Sequence, residues 1–218
     1  MNNNQNEKKI SNAVIRRLPR YFRYLRELIR SDIMRISSRE LSEKMNITAS
    51  QIRQDLNCFG GFGQQGYGYN VKFLYSEISH ILGVDNGISA IIIGIGNVGK
   101  ALVNNPLFEK RGIKVMGLFD TDPTVIGTTY GDLTVMDARN VKQFINENNV
   151  DIAVLTIPKA AAQDTFNSLS ETCIRGVWNF SNAEIKCPDE MDIKIENVHL
   201  GDSLMALCYE VAQSKANQ

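Results

Sequence analysis

The sequence predicts an α/β protein of two domains: a small, mainly helical head carrying a β-hairpin, followed by a doubly wound parallel sheet. Three observations predict it. The stretch Ile88 to Gly99, ISAIIIGIGNVG, runs from a buried apolar strand straight into three glycines. Two capping-box patterns, Ser37-Ser38-Arg39-Glu40 and Thr48-Ala49-Ser50-Gln51, open two short helices only a few residues apart. Charge is split: 24 basic and 24 acidic residues balance overall, but the first 80 residues hold 13 basic and 7 acidic ones. A basic head on an acidic body points to a polyanionic partner for the head.

In chain order, residues 1–10 are polar and unpatterned and read as a disordered tail. Ser11 to Arg17 reads as a short helix. Pro19 suits the first turn of the next, whose apolar face is Leu18, Phe22, Leu25, Leu28 and Ile29. Arg16, Arg20, Arg23, Arg26 and Arg30 form a basic stripe, to be weighed against an ordinary solvated face. The two capped helices around Asn46-Ile47 make a helix-turn-helix pattern, the second running to about Phe59. In that second helix Ile52, Leu56 and Phe59 face inward, while Ser50, Gln51, Arg53, Gln54 and Asn57 face out. Such side chains hydrogen-bond base edges and phosphates. Phe59 to Tyr69 interleaves glycines with aromatics, as a twisted hairpin needs, and after such a helix it reads as a wing. Asn70 caps a helix bearing Val71, Leu74, Ile78, Ile81 and Leu82, and Gly83 to Gly87 closes a winged-helix domain over 11–86.

Residues 87–200 read as a Rossmann-like nucleotide-binding domain. Gly94 permits a tight turn, Gly96 a close approach to a pyrophosphate, and Gly99 close packing of helix on strand. A second strand, Ile113 to Phe119, ends in Asp120, placed to accept from ribose hydroxyls, which favours NAD(H) over its 2′-phosphorylated form. Thr121 to Asp132 reads as loop, Leu133 to Met136 as a strand, and Asp137 as the cap of a helix to about Asn148. Strands follow at Val150 to Pro158, Gly176 to Phe180 and Met191 to Val198, with a helix from Lys159 to Leu169. Thr156, Pro158, Asn179 and Phe180 stand at strand ends, where a ligand binds in such sheets. Ile95 belongs to the same turn. The last helix, about Asp202 to Ala212 within a terminal segment 201–218, is apolar at Leu204, Met205, Leu207, Cys208 and Val211. It either closes its own sheet or exchanges with a second subunit. Four cysteines without metal-ligand spacing, and no secretory or membrane-spanning run, make a cytoplasmic protein with no bound metal the expectation. His80 and His199 have no evident acid–base partner, so no catalytic residue is assigned.

With head and body read, the chain resembles the Rex family of redox-sensing transcriptional repressors over nearly everything after residue 10. The resemblance rests on LPRYFRYLREL (18–28), SSRELSEKMNITASQIRQDL (37–56), FGGFGQQGYGY (59–69), GIGNVGKAL (94–102), LFD (118–120) and VWNF (177–180). It implies a homodimer with winged heads on double-stranded operator DNA, an inverted repeat, bodies that bind NAD(H), exchanged terminal helices, and release of DNA by NADH. By position it implies that Gly94, Gly96, Asn97, Val98, Gly99 and Asp120 hold the dinucleotide. Ser50, Gln51, Arg53 and the wing Phe62, Gly63, Gln64, Gln65 and Gly66 then meet DNA, beside the basic Arg16 and Arg20. The chain departs from the family at Gly61, usually an acid, near Gln64, usually a base, at Asn105, often a tyrosine, and near His199, often an acid. The competing readings are an NAD-dependent oxidoreductase with an accessory basic domain, and a repressor answering another adenosine nucleotide.

Overall fold

The structure is a computed structural model describing residues 10–60, 63–64 and 67–216. The expected tail, Gly61, and the wing positions Phe62, Gln65 and Gly66 lie outside the described residues, save Ile10. The chain divides into two compact units between Asn86 and Gly87.

In the first unit α1 (Asn12–Arg30) is a single helix with Pro19 inside it, not a short helix followed by a second. Val14 and Leu18 before the proline, and Tyr21, Phe22, Leu25 and Leu28 after it, form one buried stripe whose burial outweighs the missing hydrogen bond. Pro19 and Ile15 lie on the exposed side, where water can satisfy the carbonyl left without a donor. A two-residue strand, β1 (Arg35–Ile36), was not legible in the sequence. Next, α2 (Ser38–Met45) opens with the full Ser37/Glu40 capping box and ends at Asn46 in the left-handed region, φ 51°. In α3 (Ala49–Asn57) only half of the second box forms: Thr48 accepts from the Gln51 N–H, while the Gln51 side chain turns to Asp55. The helix stops at Asn57, short of Phe59.

Strands β2 (Gly63–Gln64) and β3 (Gly68–Asn70) pair antiparallel, and β1 joins β3 to complete a three-stranded sheet. Gly68 is required there: its φ is +69°, and a Cβ would stand 2.7 Å from the Ile36 carbonyl oxygen. Tyr69 is buried and Phe59 packs on the same core, but Tyr67 is exposed, its ring beside the Arg35 guanidinium. Asn70 caps α4 (Val71–Ile81), which buries Val71, Leu74 and Ile78.

In the second unit a seven-stranded sheet comprises β4 (Ser89–Ile93), β5 (Lys114–Asp120), β6 (Thr129–Tyr130), β7 (Leu133–Asp137), β8 (Ile152–Leu155), β9 (Gly176–Asn179) and β10 (Lys194–Asn197). Its order is β10-β9-β8-β4-β5-β7-β6, parallel except for β6, a hairpin strand inside the expected loop. Helices are α5 (Asn97–Val103), α6 (Val141–Asn148), α7 (Lys159–Leu169) and α8 (Leu200–Ala216). Asp137 caps a 3-10 turn, Ala138–Asn140, that leads into α6 rather than capping the helix itself.

The strand period of two divides the core. Ile91 and Ile93 face α6 and α7, while Ile92 packs with Leu118, Val154 and Phe108 on the face that α5 serves. That second face carries an apolar groove of about 490 Å³ lined by Leu107, Phe108, Ile152, Trp178 and Ile195. α8 does not close the sheet: its described residues are all exposed, Leu204 to 61% and Met205 to 71%.

Candidate functional site

The crossover reverses between β4 and β8, and there the carboxyl ends of the strands open into a cleft of about 920 Å³. Gly94, at φ +93°, makes the turn out of β4; a Cβ on it would lie 2.7 Å from the Thr156 carbonyl oxygen. On Gly99 a Cβ would lie 2.1 Å from the Gly94 oxygen, so only glycine lets α5 approach. Gly96 differs: a Cβ there meets nothing within 4 Å, and the space in front of its backbone is open. The cradle fits a dinucleotide, since α5 and α7 both begin at the cleft and offer free N–H groups to phosphates.

Asp120 holds the turn as well as facing the cleft. Its Oδ2 accepts from the Ile95 N–H at 2.6 Å and its Oδ1 from the Asp122 N–H at 2.9 Å. Asp122, tied to Thr124, is held below the ordinary carboxylate value by hydrogen bonds from the Thr124 hydroxyl and N–H. Two acids at one end of the cleft disfavour a 2′-phosphate.

Of the residues expected to bind cofactor, Gly94, Ile95, Gly96, Val98, Asp120, Thr156, Pro158 and Phe180 line the cleft; Asn97, Gly99 and Asn179 do not. Gly99 is buried behind the turn, and Asn97 is exposed at the head of α5. Thr156 donates its hydroxyl to the Gly94 carbonyl and so braces the turn. Asn179 is buried, and its amide is taken up within its own loop and by Asn197. Lys100, Lys159, Ser181 and Asn182 line the cleft without having been singled out. Lys159 was findable, because it opens a helix that follows a strand end. Asn105 lines a separate hollow with Phe108 and Lys114. His199 and His80 do have carboxylate partners, Glu184 at 2.9 Å and Asp85 at 3.3 Å, which folding supplies across turns.

In the first unit the expected DNA-facing residues divide by partner. Arg16 is exposed; Arg20 donates to the Met45 carbonyl at the end of α2 and thereby fixes the helix-turn-helix. Ser50, Arg53, Gln54 and Asn57 stand on the outer side of α3, Arg53 donating to Ser38 Oγ at 3.0 Å. Gln51 instead donates to Asp55 at 2.8 Å. Gly63 and Gln64 form β2.

Asp55, fully buried on α3, is the residue that sequence reasoning missed. Arg17 donates to both its oxygens at 2.7 Å, Tyr21 donates at 2.9 Å, and Gln51 completes the set. Burial pushes this carboxyl up; the bonds from Arg17, Gln51 and Tyr21 outweigh that and hold it below its ordinary value. Burial and the same carboxylate push the Tyr21 hydroxyl well up. The spacing Arg17 to Tyr21, one helical turn, was the available signal, but its acceptor lies on another helix.

Comparison with known proteins covers both units. Residues 9–57 match a family described as "Putative DNA-binding protein N-terminus", and residues 85–183 match one described as "CoA binding domain". A protein of Thermoanaerobacter pseudethanolicus named redox-sensing transcriptional repressor Rex is 54% identical over 95% of this chain and 92% of its own. One of the same name from Clostridium perfringens is 50% identical over 94% and 96%. A crystal structure of RSP in complex with NAD⁺ and operator DNA superposes with a TM-score of 0.88 at 53% identity, covering 95% of this chain and 94% of that one. RSP with NADH superposes at 0.86 and 50% identity, covering 95% and 97%. With relatives this similar over nearly their whole length, and with both domains in place, the chain belongs to the Rex family of redox-sensing transcriptional repressors.

Proposed function

We propose that the chain is a cytoplasmic, DNA-binding repressor that senses the NADH/NAD⁺ ratio, binding an operator inverted repeat as a homodimer and leaving it when NADH fills the cleft. The observation that carries this reading is the glycine-turn cleft with Asp120 at its edge, in a chain whose other unit presents Arg53, Gln54 and Asn57 on one helix. A ligand switch needs differential affinity. Neutral reduced nicotinamide tolerates the apolar wall of Ile95, Ile157 and Phe180 better than the oxidised cation does. Moving a two-state dimer from 1:99 to 99:1 needs about 5.5 kcal/mol, roughly half from each of two cofactors. The role needs no chemical step, so the chain is read as a regulator and not an enzyme.

The second copy is argued from α8, which exposes Leu200, Leu204, Met205, Leu207 and Val211 along one chain end, and from the apolar groove on the under-covered sheet face. An unpartnered apolar helix in water calls for a partner surface. Deleting residues 200–218 is expected to leave a monomer by sedimentation, with NADH affinity retained and operator affinity reduced by at least about a hundredfold, since half-sites are then bound singly.

The test of function is anisotropy of a labelled AT-rich inverted repeat with full-length protein, titrated with NADH, NAD⁺, ADP and coenzyme A. Release by NADH, with little effect of NAD⁺, is expected; binding indifferent to all four removes the sensor from the proposal. Release by ADP or coenzyme A favours the broader adenosine-nucleotide reading. NADH occupancy is read independently from Trp178, the single tryptophan, which packs against cleft-lining Phe180 with centroids 4.6 Å apart.

A further inference from the structure

The loop leaving β9 joins the cleft to the root of α8. Phe180, Ser181 and Asn182 line the cleft. Behind them Asn179, 1% exposed, accepts at Oδ1 from the Ser181 N–H (3.0 Å) and hydroxyl (2.6 Å). Its Nδ2 donates to the Ala183 carbonyl (2.7 Å) and to Asn197 Oδ1 (2.8 Å). Asn197 in turn donates to Glu184 Oε2 at 3.3 Å, and Glu184 Oε1 lies 2.9 Å from His199 Nε2. His199 immediately precedes α8, and its carbonyl accepts from the Asp202 N–H in the first turn of that helix. A backbone bond from the Val198 N–H to the Asn179 carbonyl, 2.8 Å, runs alongside. A continuous polar relay therefore reaches from the cleft wall to the helix root within one unit.

α8 is exposed along its whole length. No residue of the helix is buried against its own body, so within its own subunit the helix is held at its root, Val198 and His199, rather than by packing along its length. Glu184, two residues beyond cleft-lining Asn182, is the side chain that grips that point. A ligand pressing on Phe180 to Asn182 displaces the segment that carries Glu184, and His199 must follow or the pair must open.

The geometry points to Glu184 and His199 as positioning residues that carry cofactor occupancy to the C-terminal helix, and so to the subunit it meets. This rests on the reading that NADH fills the cleft and that heads paired by a dimer bind DNA. Coupling of this kind is a free energy between two sites and is measured as a ratio of affinities, which distinguishes it from a role in stability alone.

The experiment uses full-length wild type, Glu184→Ala, Glu184→Gln, His199→Ala and the double alanine variant. For each, NADH affinity, operator affinity, and operator affinity at saturating NADH are measured. Glu184→Ala is expected to leave the first two within about twofold while shrinking the NADH-induced loss of operator affinity by about tenfold. Glu184→Gln, which keeps an acceptor for His199, retains most of the effect, and the double variant is no worse than either single one. Intact affinities with an undiminished ratio in Glu184→Ala overturn the relay alone. A wild type whose operator affinity NADH does not change overturns the relay and the functional reading together. Should Glu184→Ala fold poorly, amide exchange on the wild type decides: NADH is expected to change protection at residues 198–203, and no change there overturns the relay.

Discussion

Asp55→Ala is expected to destabilise the first unit by about 3–5 kcal/mol, the range for removing one partner of a buried ion pair. The carboxylate takes four hydrogen bonds from two helices, and without it the wholly buried Tyr21 hydroxyl and the largely covered Arg17 guanidinium have lost their acceptor. Amide exchange should show it as a loss of protection in α1 and α3 by about two to four powers of ten, with NADH affinity of the second unit unchanged. Operator affinity should fall with it, because Ser50, Arg53, Gln54 and Asn57 ride on the helix that Asp55 fastens. The same carboxylate sets a pH dependence. Its folded value is lowered, so its contribution is complete above the ordinary value of 3.8 and fades as pH falls through the lowered one. Wild-type stability of the first unit should therefore decline with acid below about pH 4, and Asp55→Ala should flatten that decline. Equal acid sensitivity in wild type and variant would count against this account.

Gly99→Ala is expected to abolish measurable NADH binding, whereas Gly96→Ala is expected to leave the fold intact. At Gly99 the new methyl group would stand 2.1 Å from a backbone oxygen, and the turn cannot yield easily. The Gly94 carbonyl is already held by the Thr156 hydroxyl, the Gly94 N–H donates to Phe119, and Ile95 is tied to Asp120. Overpacking a site of this kind costs about 3 kcal/mol or more, equivalent to more than a hundredfold in affinity if it falls on the bound turn. At Gly96 the methyl group meets only open space, so thermal stability should stay within about half a kcal/mol. A loss of NADH affinity in Gly96→Ala would then report a phosphate at that backbone directly. Tight NADH binding by Gly99→Ala would show that the turn relaxes.

The architecture was readable because its signals are local. The ISAIIIGIGNVG stretch carries strand, turn and helix start in twelve consecutive residues, and the Ser37/Glu40 box is complete within four. Helix α7, expected from about Lys159 to Leu169, forms over that range. Where local signals conflict with packing, packing decides. Pro19 marks a helix start by its chemistry, yet α1 runs through it because Val14 and Leu18 share one core with Tyr21 and Leu25. Gln51 completes a capping box on paper, yet its amide goes to a buried carboxylate that needs donors more than an exposed N-cap does.

By itself, then, the sequence determined the class of fold, the glycine turn and the acid beside it, and the helix-turn-helix of the basic head, because each is written in neighbours a few residues apart. Only the tertiary structure decided which polar residues face a ligand and which face the protein. Asn179, Gln51 and Arg20 look like binding residues in the chain and serve as internal fastenings in the fold. Asp55 and Glu184 look like surface acids and hold, respectively, α3 and the root of α8. The reason is physical: a polar side chain finds its partner by proximity in space, and Asp55 and Arg17 lie 38 residues apart along the chain.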